Sequence, residues 1–279
     1  MRLTIRHETV YAYDAPVRFA VQSLRLTPSR FAGQKVAAWS ISSPGGVLSA
    51  GFVDGAGDRV QTLTHAEPVP EIRILVEGEV ETSDISGVLN GHREKIAPGV
   101  YLRATPATDT SPAIRALAAR AAKGADGAID LAHRLMAEVA GAVAYRPGST
   151  ETATTAAEAV ERGAGVCQDH AHVMIAAARE HGIPARYAIG YMLASDGGDM
   201  HEASHAWAEL HIQGLGWVGF DPANACCPDD RYVRIGSGLN AATAAPVRGI
   251  SQGLAEARLD VSVSVQSGPQ TGPQTQTQQ

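Results

Sequence analysis

Apolar residues recur at every second position through much of the first hundred residues, as in Leu3 and Ile5 and again in Ile72, Ile74, Val76 and Val80, with Arg73, Glu77 and Glu79 between them. A period of two is that of a strand with one buried and one solvated face. Clusters such as SSPGG and VDGAGDR separate the runs and supply the residues that tight hairpin turns need. The pattern predicts an antiparallel β-sandwich over residues 1–105. After ATPATDTSP the chain becomes alanine-rich, and Leu131, Leu135, Met136 and Val139 fall at helical spacing, with Thr110 or Ser111 as the N-cap ahead of Pro112. A second domain is therefore expected over 106–266. The closing QSGPQTGPQTQTQQ is nearly devoid of apolar side chains and cannot offset the entropy of ordering, so residues 267–279 are expected to form a disordered tail. No internal repeat is visible.

Within the second domain the stretch GVCQDHAHVMIAAAREHGIPA, residues 165–185, places Cys167 where an irregular segment turns into a helix. Ala171, Met174 and Ala178 follow at i+4, i+7 and i+11, which predicts an amphipathic helix with the sulfur on the inward face of its first turn. Gly182 and Pro184 stop it. A helix N-terminus favours thiolate over thiol and offers N–H donors beside the sulfur. Taken alone, the same position suits a structural cysteine, since this residue is among those most often buried.

The segment SHAWAELHIQGLGWVGFDPAN, residues 204–224, alternates again. His205, Trp207, Glu209 and His211 share one parity, and Ala206, Ala208, Leu210 and Ile212 the other. If Val218 and Phe220 of the return strand join the alanines on one buried face, paired residue numbers must sum to an even value, as with a connection of three or five residues, and Asp221 then falls on the face of His205. A cysteine at a helix terminus, a histidine on a strand and an aspartate on the next are the parts of a nucleophile, base and orienter system.

Composition narrows the classes. The chain has 279 residues, 44% of them hydrophobic, and a formal net charge of -6 with no Lys/Arg run, which argues against a nucleic-acid partner. MRLTIRHETVYAYDAP lacks the continuous apolar stretch of a signal peptide and nowhere do 18 apolar residues run together, so no membrane partner and a cytoplasmic location are expected. Three cysteines, two of them adjacent (Cys226 and Cys227), make neither a disulfide framework nor a zinc motif, and the thiols are expected to be reduced.

YRPGST before the helix, GVCQDHAH at its start, GIPARYAIGY after it, then SHAWAEL and GWVGFDPAN resemble the bacterial transglutaminase-like proteins of the papain-like cysteine-enzyme class. VDGAGDRV and EIRILVEGEV resemble that family's N-terminal β-sandwich, so the likeness spans residue 1 to about 265. It implies an α+β fold in which a helix bearing the cysteine packs on an antiparallel sheet bearing the histidine and aspartate. It also implies that Cys167 is the nucleophile, His205 the general base and acid, and Asp221 its orienter, with no cofactor. Tyr145 matches a tyrosine that some relatives use to help bind the oxyanion. His170 departs from the pattern, standing where relatives often have an aromatic residue.

Other residues have plainer readings. His170 and His172 point to roughly opposite sides of the helix and cannot chelate one ion. Trp207 is expected to shield the His205–Asp221 pair from water, His211 to lie on a solvated face, and Asp169 to favour the helix dipole. Gln168 is offered as a substrate-binding position through its backbone N–H or its amide, and Cys226 and Cys227 as incidental loop residues. Three functions remain open at this point. The first is a cysteine enzyme that acts on amide bonds of a peptide or protein through a thioester, by peptide or isopeptide hydrolysis or by acyl transfer to an amine. The second is a metal hydrolase with Cys167, His170 and His205 as ligands, and the third a non-catalytic binding module on the same fold.

Overall fold

The computed structural model describes residues 1–194, 204–253 and 256–268. Seven strands come first: β1 (Arg2–Val17), β2 (Phe19–Leu24), β3 (Gln34–Ser42), β4 (Val47–Leu48), β5 (Phe52–Val53), β6 (Arg59–His65) and β7 (Val69–Thr82). Helices α1 (Pro112–Ala122) and α2 (Gly127–Ala142) follow, then β8 (Ala144–Tyr145), α3 (Ala156–Arg162), β9 (Ala164–Gly165) and α4 (Cys167–Arg179). Next come β10 (Ala185–Met192), β11 (Ser204–Ile212), β12 (Gly216–Phe220), β13 (Tyr232–Gly238) and the single turn α5 (Ala241–Ala244), and finally β14 (Val247–Gln252) and β15 (Ala257–Ser267).

The alternation predicted for the first hundred residues is what forms the sandwich. Leu3 and Ile5 of β1 and Ile72, Ile74, Val76 and Val80 of β7 are all buried, while the intervening charges pair across the solvated face, Arg6 with Glu77 and Arg73 with Glu8. One sheet runs β15-β1-β7-β3 and the other β14-β2-β6-β4, with β5 beside β6. Here the expected domain boundary is corrected, because residues 247–266, assigned by position to the second domain, return to the first. β15 pairs antiparallel with β1 from Leu3↔Ser267 to Tyr13↔Ala257, and β14 pairs with β2. Two strand edges that sequence proximity leaves open are thereby closed. Ser267 belongs to β15, and the remainder of the expected tail, 269–279, lies outside the described residues.

The third sheet runs β12-β11-β10-β13 and is buried on both faces. Ala206, Ala208, Leu210, Val218 and Phe220 meet α1, α2 and α4 in one core, whereas Tyr191, Val233 and Ile235 join Leu3, Ile5, Ile74 and Leu63 in the core of the sandwich. Ser111 is the N-cap of α1, its hydroxyl accepting from the Ile114 N–H at 3.3 Å, with Pro112 in the first turn. The amphipathic expectation for α4 is also corrected. Every residue from Asp169 to Ala178 is buried, because the helix packs against α1, α2 and α3 as well as against β10 and β11. A helix enclosed on all sides must satisfy its polar groups internally.

Candidate active site

Cys167 is the first residue of α4, and the chain before it is held tightly. Asp169 is buried and its Oδ2 accepts from the Val166 N–H at 2.8 Å and from the Thr150 hydroxyl at 2.6 Å, tying the helix start to the preceding loop. Gly165 makes this possible: a Cβ there would lie 2.6 Å from that of Asp169. Asp169 is thus a buried anchor as well as a first-turn acid. β8 and β9 pair in parallel, setting Tyr145 level with Gly165, two residues from the thiol. Tyr145 is 42% exposed, with its ring centroid 6.1 Å from that of His170.

The hairpin has the even-sum pairing that the sequence required. Ala208 pairs with Phe220 and Leu210 with Val218, so opposed numbers sum to the even value 428, across a three-residue connection, 213–215. Ala206, Ala208, Leu210, Val218 and Phe220 accordingly share the helix-facing core, and the opposite parity brings His205 and Asp221 together. His205 Nε2 lies 2.7 Å from Asp221 Oδ2, with both residues buried. The carboxylate takes further donors: the Asn224 amide at 2.7 Å and the Tyr232 hydroxyl at 2.8 Å on Oδ2, and the Ala223 N–H at 3.0 Å on Oδ1. Opposite His205 in β10 is Gly190, where a Cβ would lie 1.9 Å from the Val233 carbonyl oxygen, so only glycine lets β13 approach here.

Burial pulls the imidazolium of His205 down, but hydrogen bonds to Asp221 and to the Cys167 thiol, together with their charges, outweigh it and lift the group from 6.5 to about 10. Burial pushes the carboxyl of Asp221 up, and the bonds from His205, Asn224 and Tyr232 more than reverse this, leaving it below the usual carboxylate range. Since Nε2 is taken by Asp221, Nδ1 is the nitrogen left for the thiol. The set can hold a cationic ring between a sulfur and a fixed anion.

The neighbouring candidates divide. Trp207 is buried and lies nearly parallel to the His205 ring, 6.4 Å between centroids, and edge-on to Tyr232 at 5.6 Å, so it covers one side of the pair. The Gln168 side chain turns to the Thr152 carbonyl at 3.1 Å, leaving its backbone N–H as its route to a substrate. His211 packs edge-on against Trp217 at 5.2 Å and is half-buried rather than solvated. Cys226 lies 3.4 Å from the Tyr232 hydroxyl, while burial raises the thiols of both Cys226 and Cys227, the latter to about 11. The alternative metal set loses its middle ligand. Nδ1 of His170 lies 2.9 Å from the Val166 carbonyl oxygen and Nε2 2.8 Å from that of Val143, so both ring nitrogens are occupied by the backbone. No group of three or more metal-ligating side chains occurs among the described residues.

Sequence reasoning missed Asn224 and Tyr232. Asn224 had a signal, since an aspartate followed by proline at a strand end commonly starts a turn whose amides and side chains fold back on the carboxylate. Tyr232 had none, because it arrives from β13 after an intervening loop. Also unforeseen is the ion cluster farther along β11. Glu209, fully buried, takes Arg186 Nε at 2.6 Å and Arg234 Nε at 2.7 Å, and Arg234 continues to Asp58 of the sandwich at 2.9 Å. Burial raises the Glu209 carboxyl, but the two guanidinium groups hold it down at about 2.

With this geometry in place, residues 115–222 match the transglutaminase-like superfamily and residues 3–81 the bacterial transglutaminase-like N-terminal region. The chain carries a transglutaminase-like core joined to that N-terminal region. An uncharacterized protein of Mycobacterium leprae is 27% identical over 93% of this chain and 96% of its own length. An uncharacterized protein of Mycobacterium tuberculosis is 40% identical over 43% of this chain and 40% of its own length. A solved structure from Cytophaga hutchinsonii, proposed to be a cysteine protease, superposes with a TM-score of 0.73 at 23% identity, covering 96% of this chain and 91% of that one, and shares the fold. The transglutaminase-like core thus has the α+β architecture expected from the sequence. Among the described residues no helix is long and apolar enough to cross a membrane.

Proposed function

We propose that this transglutaminase-like chain is a cysteine enzyme acting on amide bonds, most simply by hydrolysing a peptide or isopeptide bond. The observation that carries this reading is the 2.7 Å bond from buried His205 to buried Asp221, with Cys167, at the start of α4, among the groups that raise the same imidazole. In this mechanism the Cys167 thiolate attacks the carbonyl carbon, and the first-turn amides of α4, including that of Gln168, stabilise the oxyanion. Tyr145 supplies a further donor from the partly exposed side. His205 passes its proton to the leaving amine, and a thioester remains. Water, or an amine if transfer is the outcome, is then deprotonated by His205 and releases the acyl group. Asp221 fixes the ring orientation and stabilises its charge. Trp207 keeps water from the pair. No cofactor enters these steps.

Screening against peptide and isopeptide substrates tests the proposal. Cys167→Ala should abolish turnover and Cys226→Ser with Cys227→Ser should leave it unchanged, while dialysis against a chelator should have no effect. Turnover surviving in Cys167→Ala would overturn the thiol mechanism. Loss on chelation with recovery on adding zinc would instead support the metal hydrolase.

A further inference from the structure

A groove of about 920 Å³ opens on the sandwich, away from the residues of the candidate active site. Its charge comes from three separate segments: Arg30 from the β2–β3 connection, Arg59 from the start of β6 and Arg93 from the stretch after β7. Phe31, Val36 and Val53 supply apolar wall between them, and no aspartate or glutamate lines it. This is unusual for a chain of net charge -6. Elsewhere on the sandwich Arg2, Arg6 and Arg73 are each paired with a glutamate, whereas Arg30 and Arg93 have no carboxylate partner among the described residues.

The loop carrying Arg30 is fixed before any ligand arrives. The Ser29 N–H donates to the Arg234 carbonyl at 2.8 Å, and the Gln34 amide donates to the carbonyls of both Ser29 and Arg234 at 2.8 Å. With the backbone already fixed, less is left to order on binding, and the planar guanidinium fork matches a carboxylate. Bare phosphate would leave the apolar wall uncovered. A ligand that alternates carboxylates with apolar side chains would use both features, because successive side chains of an extended peptide point to opposite sides.

We propose that this groove binds an extended acidic peptide segment, with carboxylates on Arg30, Arg59 and Arg93 and apolar side chains on Phe31, Val36 and Val53. The site is independent of the chemistry at Cys167. Fluorescence anisotropy with a labelled octapeptide of alternating Glu and Leu tests it on the full chain. Saturable binding is expected, weakening with added salt and falling about tenfold or more in the double variant Arg30→Glu with Arg93→Glu, as loss of charge-assisted bonds implies. Both side chains are exposed, so the variant should melt with the parent protein. A Lys/Leu octapeptide should not bind, and Cys167→Ala should bind the acidic peptide as the parent does. The proposal is overturned by absence of saturable binding, by equal affinity in the double variant, or by equal binding of the Lys/Leu peptide. Loss of binding in Cys167→Ala would place the peptide at the thiol instead. Displacement by millimolar inorganic phosphate would leave a simple anion site.

Discussion

Replacing Asp221 with asparagine probes the electrostatics of the candidate site at one atom. Three donors converge on Oδ2, from His205, Asn224 and Tyr232, and backbone N–H groups meet Oδ1. An amide cannot satisfy both sides. With its oxygen toward His205, its NH2 faces the Ala223 N–H; flipped, its NH2 faces three donors. The first arrangement costs less, about 1–3 kcal/mol for groups left unsatisfied in a buried place, and for a chain of this size that corresponds to a fall in Tm of roughly 2–12 °C with the fold retained. The larger effect falls on His205. Its partners, Asp221 first among them, hold it well above 6.5, at about 10, against burial. Removing the anion removes much of this, and burial then favours the neutral ring. If the amide also permits the wrong tautomer, turnover should fall by about 10³–10⁴-fold. A readout that needs no substrate is the rate at which iodoacetamide alkylates Cys167, followed by intact mass across pH 5–9. Asp221→Asn should slow alkylation on the acidic side of this range, because the imidazolium that stabilises the thiolate is gone. An unchanged rate profile in a folded variant would refute the assignment of Asp221 as the group that holds His205 charged.

Three further outcomes follow from the same geometry. In the parent protein at near-neutral pH, Cys167 should be alkylated much faster than Cys226 and Cys227, whose thiols are raised by burial; mass mapping showing equal rates at all three would contradict an activated Cys167. Tyr232→Phe removes one donor from Asp221 Oδ2 and should lower turnover about tenfold, for roughly 1–1.5 kcal/mol, with circular dichroism and Tm close to the parent; no change in turnover would make Tyr232 a packing residue only. Glu209→Gln removes one of the three carboxylates around the two buried guanidinium groups, leaving Arg186 with Glu94 and Arg234 with Asp58, and should cost about 1.5–3 kcal/mol in denaturant unfolding for the charge-assisted bonds it weakens; a loss below about 1 kcal/mol would mean that the cluster relaxes without it. Because the Glu209 carboxyl is depressed in the folded protein from 4.5 to about 2, its contribution is present above pH 4.5 and is lost as pH falls toward 2. Acid titration of the parent should therefore show a stability loss over that window that Glu209→Gln lacks.

The alternation of side chains determined a good deal by itself. A two-residue period in β1 and β7 marked the sandwich, and the apolar set Ala206, Ala208, Leu210, Val218 and Phe220 fixed the parity of the hairpin pairing, because the opposite parity buries Asp221 among alanines and exposes Phe220. The shared face of His205 and Asp221 follows from that parity, and the start of α4 at Cys167 was readable from the glycines before it and the apolar run after it. These features are local, with both partners lying within one hairpin or one helical turn. What only the tertiary structure decided involves partners far apart in the chain. β14 and β15 look in sequence like a continuation of the second domain, yet they pair with β2 and β1, since the register between strands more than 220 residues apart leaves no periodic trace in either. The enclosure of α4 depends on three helices packing against a face that its own pattern marks as polar. The Tyr232 hydroxyl reaches Asp221, and Arg234 joins Glu209 to Asp58, only because the third sheet is buried on both faces. In that position a polar side chain must find a partner wherever the fold supplies one, and the identity of that partner is set by packing rather than by spacing along the chain.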